Sequence, residues 1–400
     1  MISETEARAR ILDSVTPKAS RKIALDDALG FFSAQPVHAT VPLPGFDNSS
    51  MDGYAVQAAE TQSSAPLTVM GEQPAGPDLH LTLQPGNTLR IFTGAPIPAG
   101  ADAVIMQEDV AVQESGKKIV CKEPVAVGEN IRRMGCDLCV GQRVIDAGDR
   151  LTPARLAVLA SQGFQEVEVT GRPSVGVVTT GDELVEAGQP LEGGQIYNSN
   201  GTLLATLAKQ QGVTDITRRH AKDDLQETVE VLRALMAGND VVLLSGGVSV
   251  GDRDFIKPAL DALGVKLEFW RVKVQPGKPL LFAKEANSGH TCLFFGLPGN
   301  PVSAFVTFQI FVRPALLKMM GAAESEWMPP QMRTTVVQPL VNKGDRPHYL
   351  RGRVVDGKFT MMGVQQSHAL FGLSQADALL RLEPGAVLQA GAEAFVSIVC

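Results

Sequence analysis

The sequence predicts an α/β fold joined to β-rich parts, with a mostly parallel sheet in one stretch and smaller β-domains on either side. Two observations carry this prediction. From about Pro173 to Gly321, continuous apolar runs such as SVGVVTT, DVVLLS and CLFFGL alternate with amphipathic stretches such as GTLLATLAKQQ and DDLQETVEVLRALMA. Strands apolar throughout and separated by helices belong to parallel sheets covered on both faces. On either side of this stretch the pattern changes to short apolar runs between Gly, Pro and Asp clusters, which reads as strands and turns.

Taken in chain order, the first element is a helix. Ser3 is placed to cap it, Glu6 follows three residues later as in a capping box, and Ala7, Ile11 and Leu12 form its apolar stripe. From Pro36 to about Val144 the runs TLRIF, AVIMQ and KKIVC predict a β-rich region. The α/β stretch follows, closing with SAFVTFQIFVRPALLKMM. After Pro329-Pro330 come short strands again, with a turn at Asp356-Gly357 and a last strand in AEAFVSIVC.

Composition narrows the function classes. The chain has 400 residues, and its 36 basic and 43 acidic residues leave a net charge of -7. That balance argues against nucleic acid or anionic lipid as the main partner, so an anionic ligand must meet a local cationic pocket. No stretch reads as the roughly 18 apolar residues of a membrane span, and the N-terminus lacks the apolar core of a secretion signal, so the cytoplasm is expected. Five scattered cysteines do not form a disulfide framework. Cys136 and Cys139 make a lone C-x-x-C with no second pair to complete a zinc set, and the six histidines have no ligand spacing.

Chemistry is expected where strands end, because ligands of open α/β sheets bind beyond the carboxyl ends of the strands. DVVLLS runs into SGGVSVGDRD, placing Gly246 and Gly247 where backbone N-H groups can approach a phosphate or pterin. CLFFGL runs into PGNPVSA, placing Asn300, Pro301 and Ser303 at a helix start. A third strand end gives TTGDEL with Asp182 and Glu183. Further carboxylates stand at comparable junctions: Asp223, Asp224, Asp254, Asp52 and Asp137. Two unpaired carboxylates about 4 Å apart repel by roughly 4 kcal/mol at an effective dielectric near 20. If they converge on an anionic ligand they need a cation, and magnesium suits oxygen ligands and phosphates.

These loops carry a resemblance. NSSMDGYAV, FTGAPIPAGADAVIMQED, NIRRMGCD, TTGDEL, IYNSN, SGGVSVGDRDF, QPGKP, GLPGNPVSA, HYLRGR and QQSHAL, in this order along nearly the whole chain, resemble the molybdopterin molybdenumtransferases, the MoeA family that includes the gephyrin E domain. The resemblance implies an elongated, four-domain subunit with a molybdopterin-binding-like α/β domain. The segments expected are 1–40 with 135–170 as a helical linker domain, 41–134 as a β-rich domain, 171–322 as the α/β domain and 323–400 as a C-terminal β-barrel-like domain. It implies a homodimer whose active cleft combines the α/β domain of one subunit with the C-terminal domain of the other. The implied activity is insertion of molybdenum from molybdate into adenylylated molybdopterin, with magnesium-dependent pyrophosphate cleavage and release of AMP. A molybdopterin adenylyltransferase is the implied substrate donor.

Carried over residue by residue, the implied catalytic set is Asp52, Asp137, Glu183, Asp223, Asp254 and Arg271, with Glu183, Asp223 and Asp254 as magnesium ligands. The implied substrate-binding set is Arg132, Gly246, Gly247, Ser249, Gln275, Lys278, Pro298, Asn300, Pro301, Arg351 and Ser367. The chain departs from the best-known bacterial members where they carry two active-site lysines, since it has Arg271 and Gln275. Arginine keeps the charge as a planar fork, whereas glutamine loses it. Strand alternation puts Lys273, like Arg271, on the face of Gln275, and Lys278 beyond the turn.

Overall fold

The computed structural model describes residues 1–247, 254–285 and 291–399. The chain divides into two compact units, one of Met1–Gln35, Ala147–Leu156 and Gln165–Cys400, the other of Pro36–Asp146 and Ala157–Phe164.

The first unit is built on a six-stranded sheet. Its strands are β1 (Val175–Thr180), β2 (Ile216–Ala221), β3 (Val241–Ser245), β4 (Lys266–Trp270), β5 (Leu281–Glu285) and β6 (Cys292–Leu297), in the spatial order β2-β1-β3-β6-β5-β4. The first four in that order run parallel, and β5 is antiparallel to both β6 and β4. Residues such as Val177, Leu243 and Phe295 are buried under one face while Val178, Leu244 and Phe294 are buried under the other. Burial on both faces is why these strands read as continuous apolar runs. The expected mostly parallel sheet is therefore present, with an antiparallel edge.

The N-terminal helix Glu4–Asp13 starts as expected, with the Ser3 side chain accepting from the Glu6 N-H and Ala7 and Ile11 buried. The helix Pro301–Met319 corrects one expectation. It is long and apolar enough to cross a membrane, but 89% of the relevant window is buried inside the protein. Gln309, Arg313 and Lys318 interrupt its apolar run, which hides its length in the sequence. Met319 and Met320 pack in the same core.

The C-terminal strands form a closed barrel of β7 (Gln331–Val336), β8 (His348–Val355), β9 (Lys358–Met361), β10 (Ala378–Leu382) and β11 (Glu393–Ile398), in the order β7-β9-β8-β10-β11. The β8–β9 turn is Asp356-Gly357, both at positive φ, as its turn signal predicts.

The second unit carries another six-stranded sheet, including the expected strands Asn87–Ile91, Ala103–Met106 and Lys118–Cys121. Val37–His38 and Arg143–Ile145 pair with each other and bring both flanks of this sheet into the same unit.

Candidate functional site

Strand order alone lines up most of the expected residues. Along the carboxyl edge stand Asp223 after β2, Glu183 after β1, Gly246, Gly247 and Asp254 after β3, and Pro298 and Asn300 after β6. The antiparallel β5 begins at the same edge, since Leu281 pairs with Gly296 and with Trp270. This brings Lys278, Gln275 and Arg271 to it as well. The edge therefore runs from carboxylates at one end to cations at the other.

The strand order reverses between β1 and β3, and such a switch point is where these sheets open a crevice. Here Gly246 has φ +95, and a Cβ on it would stand 2.6 Å from the Thr180 carbonyl oxygen, so only glycine fits. Beside it, the Thr180 hydroxyl and both carboxylate oxygens of Asp254 are buried without a hydrogen-bond partner among the described residues. Burial pushes the Asp254 carboxyl up to about 6, against the pull of Lys257 and of the nearby Ile256 N-H. A buried oxygen cluster in this state is costly unless a cation or donor completes it. Ser249 lies outside the described residues.

The neighbouring carboxylates divide by role. Asp224 caps the helix Leu225–Gly238, accepting from the Glu227 N-H at 2.8 Å. Asp182 accepts from the Asp223 N-H at 3.2 Å and so ties the loops after β1 and β2 together. Glu183 is exposed and Asp223 half-buried. Among the described residues no group of three His, Cys, Asp or Glu side chains is gathered tightly enough to hold a metal.

A cleft of about 330 Å³ opens over β1, β3 and β6, lined among others by Thr180, Glu183, Asn200, Gly246, Asn300 and His368. The IYNSN segment shapes it. Asn198 caps the helix Ser199–Gln210 and donates to the Thr179 hydroxyl, while Asn200 donates to the Ser245 hydroxyl and the Gly299 carbonyl. The Asn200 side-chain oxygen is buried without a partner among the described residues. Asn300 stands at the start of the helix Pro301–Met319 but does not cap it through its side chain, which donates to the Ser367 hydroxyl at 3.0 Å. The Val302 N-H in the first turn donates to the Ser367 carbonyl, so the barrel loop closes a helix start that the sequence leaves open.

Ser367 thus touches the α/β domain of its own chain. Arg351 is 1% exposed. Its guanidinium donates to the carbonyls of Val364, Gln366 and Ala369, while Gln365 bonds the Arg351 backbone. Arg351 thus shapes the loop that carries Ser367 and His368.

A second pocket of about 500 Å³ shares Asn300 and His368 with the cleft. Its lining includes Gln275, Lys278, Pro298, Arg346 and His348, and among the described residues it contains no carboxylate. The alternation expected around Gln275 holds: Val272 and Val274 are buried, with Lys273 exposed between them. Lys273 does not line the pocket, and Lys278 does. Gly277, at φ +121, would place a Cβ 2.5 Å from the Thr307 side chain, so this loop packs on the helix only as glycine. The barrel holds the loop through the Gln275 N-H to the Pro347 carbonyl and the Tyr349 N-H to the Gln275 carbonyl. Burial and the Arg346 charge lower the His348 pKa, favouring a neutral ring. Arg271 lies on the Trp270 ring at 3.8 Å, and Lys257 lies over the same ring at 2.7 Å.

In the second unit Arg132 pairs with Asn48 between two short strands, Asp137 donates its N-H to the Leu43 carbonyl, and Asp52 follows three residues after Ser49, beyond the end of that strand. The loops holding these three residues thus run side by side. The Thr93 N-H and hydroxyl both donate to Asp52 and keep its carboxyl below the usual range.

The relatives agree with this layout. The chain is 36% identical over 390 residues to the molybdopterin molybdenumtransferase of Haemophilus influenzae, covering 96% of this chain and 95% of that one. It is 37% identical to the one from a Nostoc species, covering 94% and 89%. The chain belongs to the MoeA family. Its residues 2–163 match the MoeA N-terminal region (domain I and II), 176–318 a probable molybdopterin binding domain, and 335–399 the MoeA C-terminal region (domain IV). The crystal structure of the molybdopterin biosynthesis MoeA protein from Pyrococcus horikoshii superposes with a TM-score of 0.83 at 28% identity, covering 100% of both chains.

For a MoeA chain, sequence reasoning overlooks Thr180, Asn200, Arg346 and His348. The first two sit inside motifs already singled out, TTGDEL and IYNSN. His348 opens HYLRGR, also singled out, but Arg346 carries no local signal, because its place depends on the pairing of β8 with the Gln275 loop.

Proposed function

We propose that the chain inserts molybdenum from molybdate into adenylylated molybdopterin, cleaving the pyrophosphate and releasing AMP. As a MoeA protein it is a transferase of molybdenum cofactor biosynthesis. The observation that most supports the detailed reading is the pairing of two pockets across Asn300 and His368, one beside carboxylates and one without them. A ligand with a metal-bound pyrophosphate at one end and an oxyanion to receive at the other needs this polarity.

Magnesium suits the spot by Gly247 at the edge of the first pocket, where the Asp254 and Thr180 oxygens, orphaned among the described residues, are hard donors. Asp254, with Glu183 and Asp223, would hold it, and when bound it would neutralise charge on the pyrophosphate. Gly246 and Gly247 let a phosphate come close to the backbone. The Asn200 oxygen accepts an N-H of the ligand. Lys278 and the Gln275 amide donate to molybdate, and Asn300 and His368 hold both ends side by side.

A homodimer working in the cytoplasm, supplied by a molybdopterin adenylyltransferase, completes the proposal. The test is incubation of the purified chain with adenylylated molybdopterin, molybdate and magnesium. AMP release that requires molybdate, together with a product that activates a cofactor-free molybdoenzyme, is the expected result. Consumption of free molybdopterin with ATP instead would assign the chain to adenylyl transfer. Light scattering reads the dimer independently.

A further inference from the structure

The carboxylate-free pocket needs more positive charge than Lys278 provides if it takes a divalent oxyanion, and Gln275 adds none. Arg346 lines the same pocket. Its carbonyl is held by the Asn342 side-chain amide at 2.8 Å, and Asn342 is itself 2% exposed, so the base of the side chain is fixed. Among the described residues, the only partner of its guanidinium is Asp345 at 3.3 Å, whose side chain is 82% exposed. Such a pair is weak and easily exchanged. The next residue along, Pro347, accepts from the Gln275 N-H, and His348 is bridged to Gln275. Arg346 is thus anchored beside the uncharged glutamine, with most of its donors unspent.

Arg351, further along in β8, is buried and gives its two terminal guanidinium nitrogens to three loop carbonyls, while its Nε has no partner among the described residues. We infer that Arg346 is an oxyanion-binding cation of this pocket, acting with Lys278 and the Gln275 amide to hold molybdate. The inference rests on the proposed function. A planar guanidinium suits two oxygens of a tetrahedral dianion at once.

The test uses the full-length protein. Molybdate alone is titrated calorimetrically into wild type, Arg346→Gln and Arg346→Lys, and the KM for molybdate and for adenylylated molybdopterin is measured on each. Loss of a charged partner in a partly desolvated site should weaken molybdate binding by about tenfold or more in Arg346→Gln. The KM for molybdate should rise in step while that for the pterin moves less than about twofold, and Arg346→Lys should recover most of the affinity. An Arg346→Gln protein that binds molybdate like wild type, or one whose pterin KM rises instead, overturns the inference and leaves the proposed function standing. A wild type that releases no AMP in response to molybdate removes the proposed function, and the inference with it.

Discussion

The two pockets on either side of Asn300 are built on opposite principles. The cleft at the β1/β3 switch point is made from strand ends, and polar atoms in and beside it are left wanting: the Thr180 hydroxyl, the Asn200 oxygen and, by Gly247, both Asp254 oxygens are buried without partners among the described residues. The neighbouring pocket is assembled from the Gln275 loop, the start of β8 and the 365–368 loop, and these are bonded to one another. The first looks under-satisfied because a ligand completes it. The second is a rigid wall of donors. One region stores its specificity in unmet hydrogen bonds and the other in charge and position.

The contrast is most sharply tested at Asp254. Asp254→Asn should lower turnover by about a hundredfold or more, since it removes charge from a preorganised site. Without metal it should also stabilise the fold, and the pH dependence fixes the sign. The folded-state pKa of about 6 lies above the ordinary value of 3.8, so ionisation is disfavoured by folding. Below about pH 4 both states are protonated and no penalty exists. As pH rises from about 4 to 6 the folded state binds more protons than the unfolded one and stability falls, and above about 6 the penalty is constant. Melting curves of wild type and Asp254→Asn in chelator should diverge over that window and run parallel above it. Added magnesium should raise the melting temperature of wild type alone. Equal melting temperatures at pH 7 would mean that the carboxylate is not strained.

Arg351 tests the rigid side. Arg351→Ala leaves three loop carbonyls without their donor and should cost about 3 kcal/mol. Turnover should fall as the loop carrying Ser367 and His368 loosens, with protease sensitivity appearing in residues 364–369. A direct ligand role predicts a different outcome, in which oxyanion affinity is lost while stability is kept. Gln275→Lys, by contrast, adds a charge to a pocket already formed. It should lower the molybdate concentration for half-maximal turnover several-fold without changing the melting temperature.

How far each region was legible in the sequence follows from how it is built. Strand ends in an α/β unit are local features, so SGGVSVG, TTGDEL and PGNPVSA could be placed on one edge from apolar periodicity alone. The second pocket depends on long-range pairing of Gln275 with His348, which no window of sequence contains. Alternation fails along β8, where Tyr349, Leu350, Arg351 and Gly352 are all buried, and the 364–369 loop bonds to Arg351 there. The contact of Ser367 with Asn300 depends on how that loop folds back, which no local pattern shows.

The smallest effect separates two adjacent carboxylates that the sequence could not tell apart. Asp224 gives its side chain to the Glu227 N-H, and the Thr228 hydroxyl donates to its carbonyl. That is a helix cap, and removing one costs about 1 kcal/mol. Asp223 instead stands at the loop joined to TTGDEL through Asp182, at the acidic end of the sheet edge. Asp224→Ala should therefore lower stability by about 1 kcal/mol and leave the magnesium dependence of turnover unchanged. Asp223→Ala should shift the magnesium requirement upward. Magnesium titrations of turnover at fixed pH decide between them. A shift in Asp224→Ala with none in Asp223→Ala would reverse the assignment, and would mean that the cap is broken when the ligand binds.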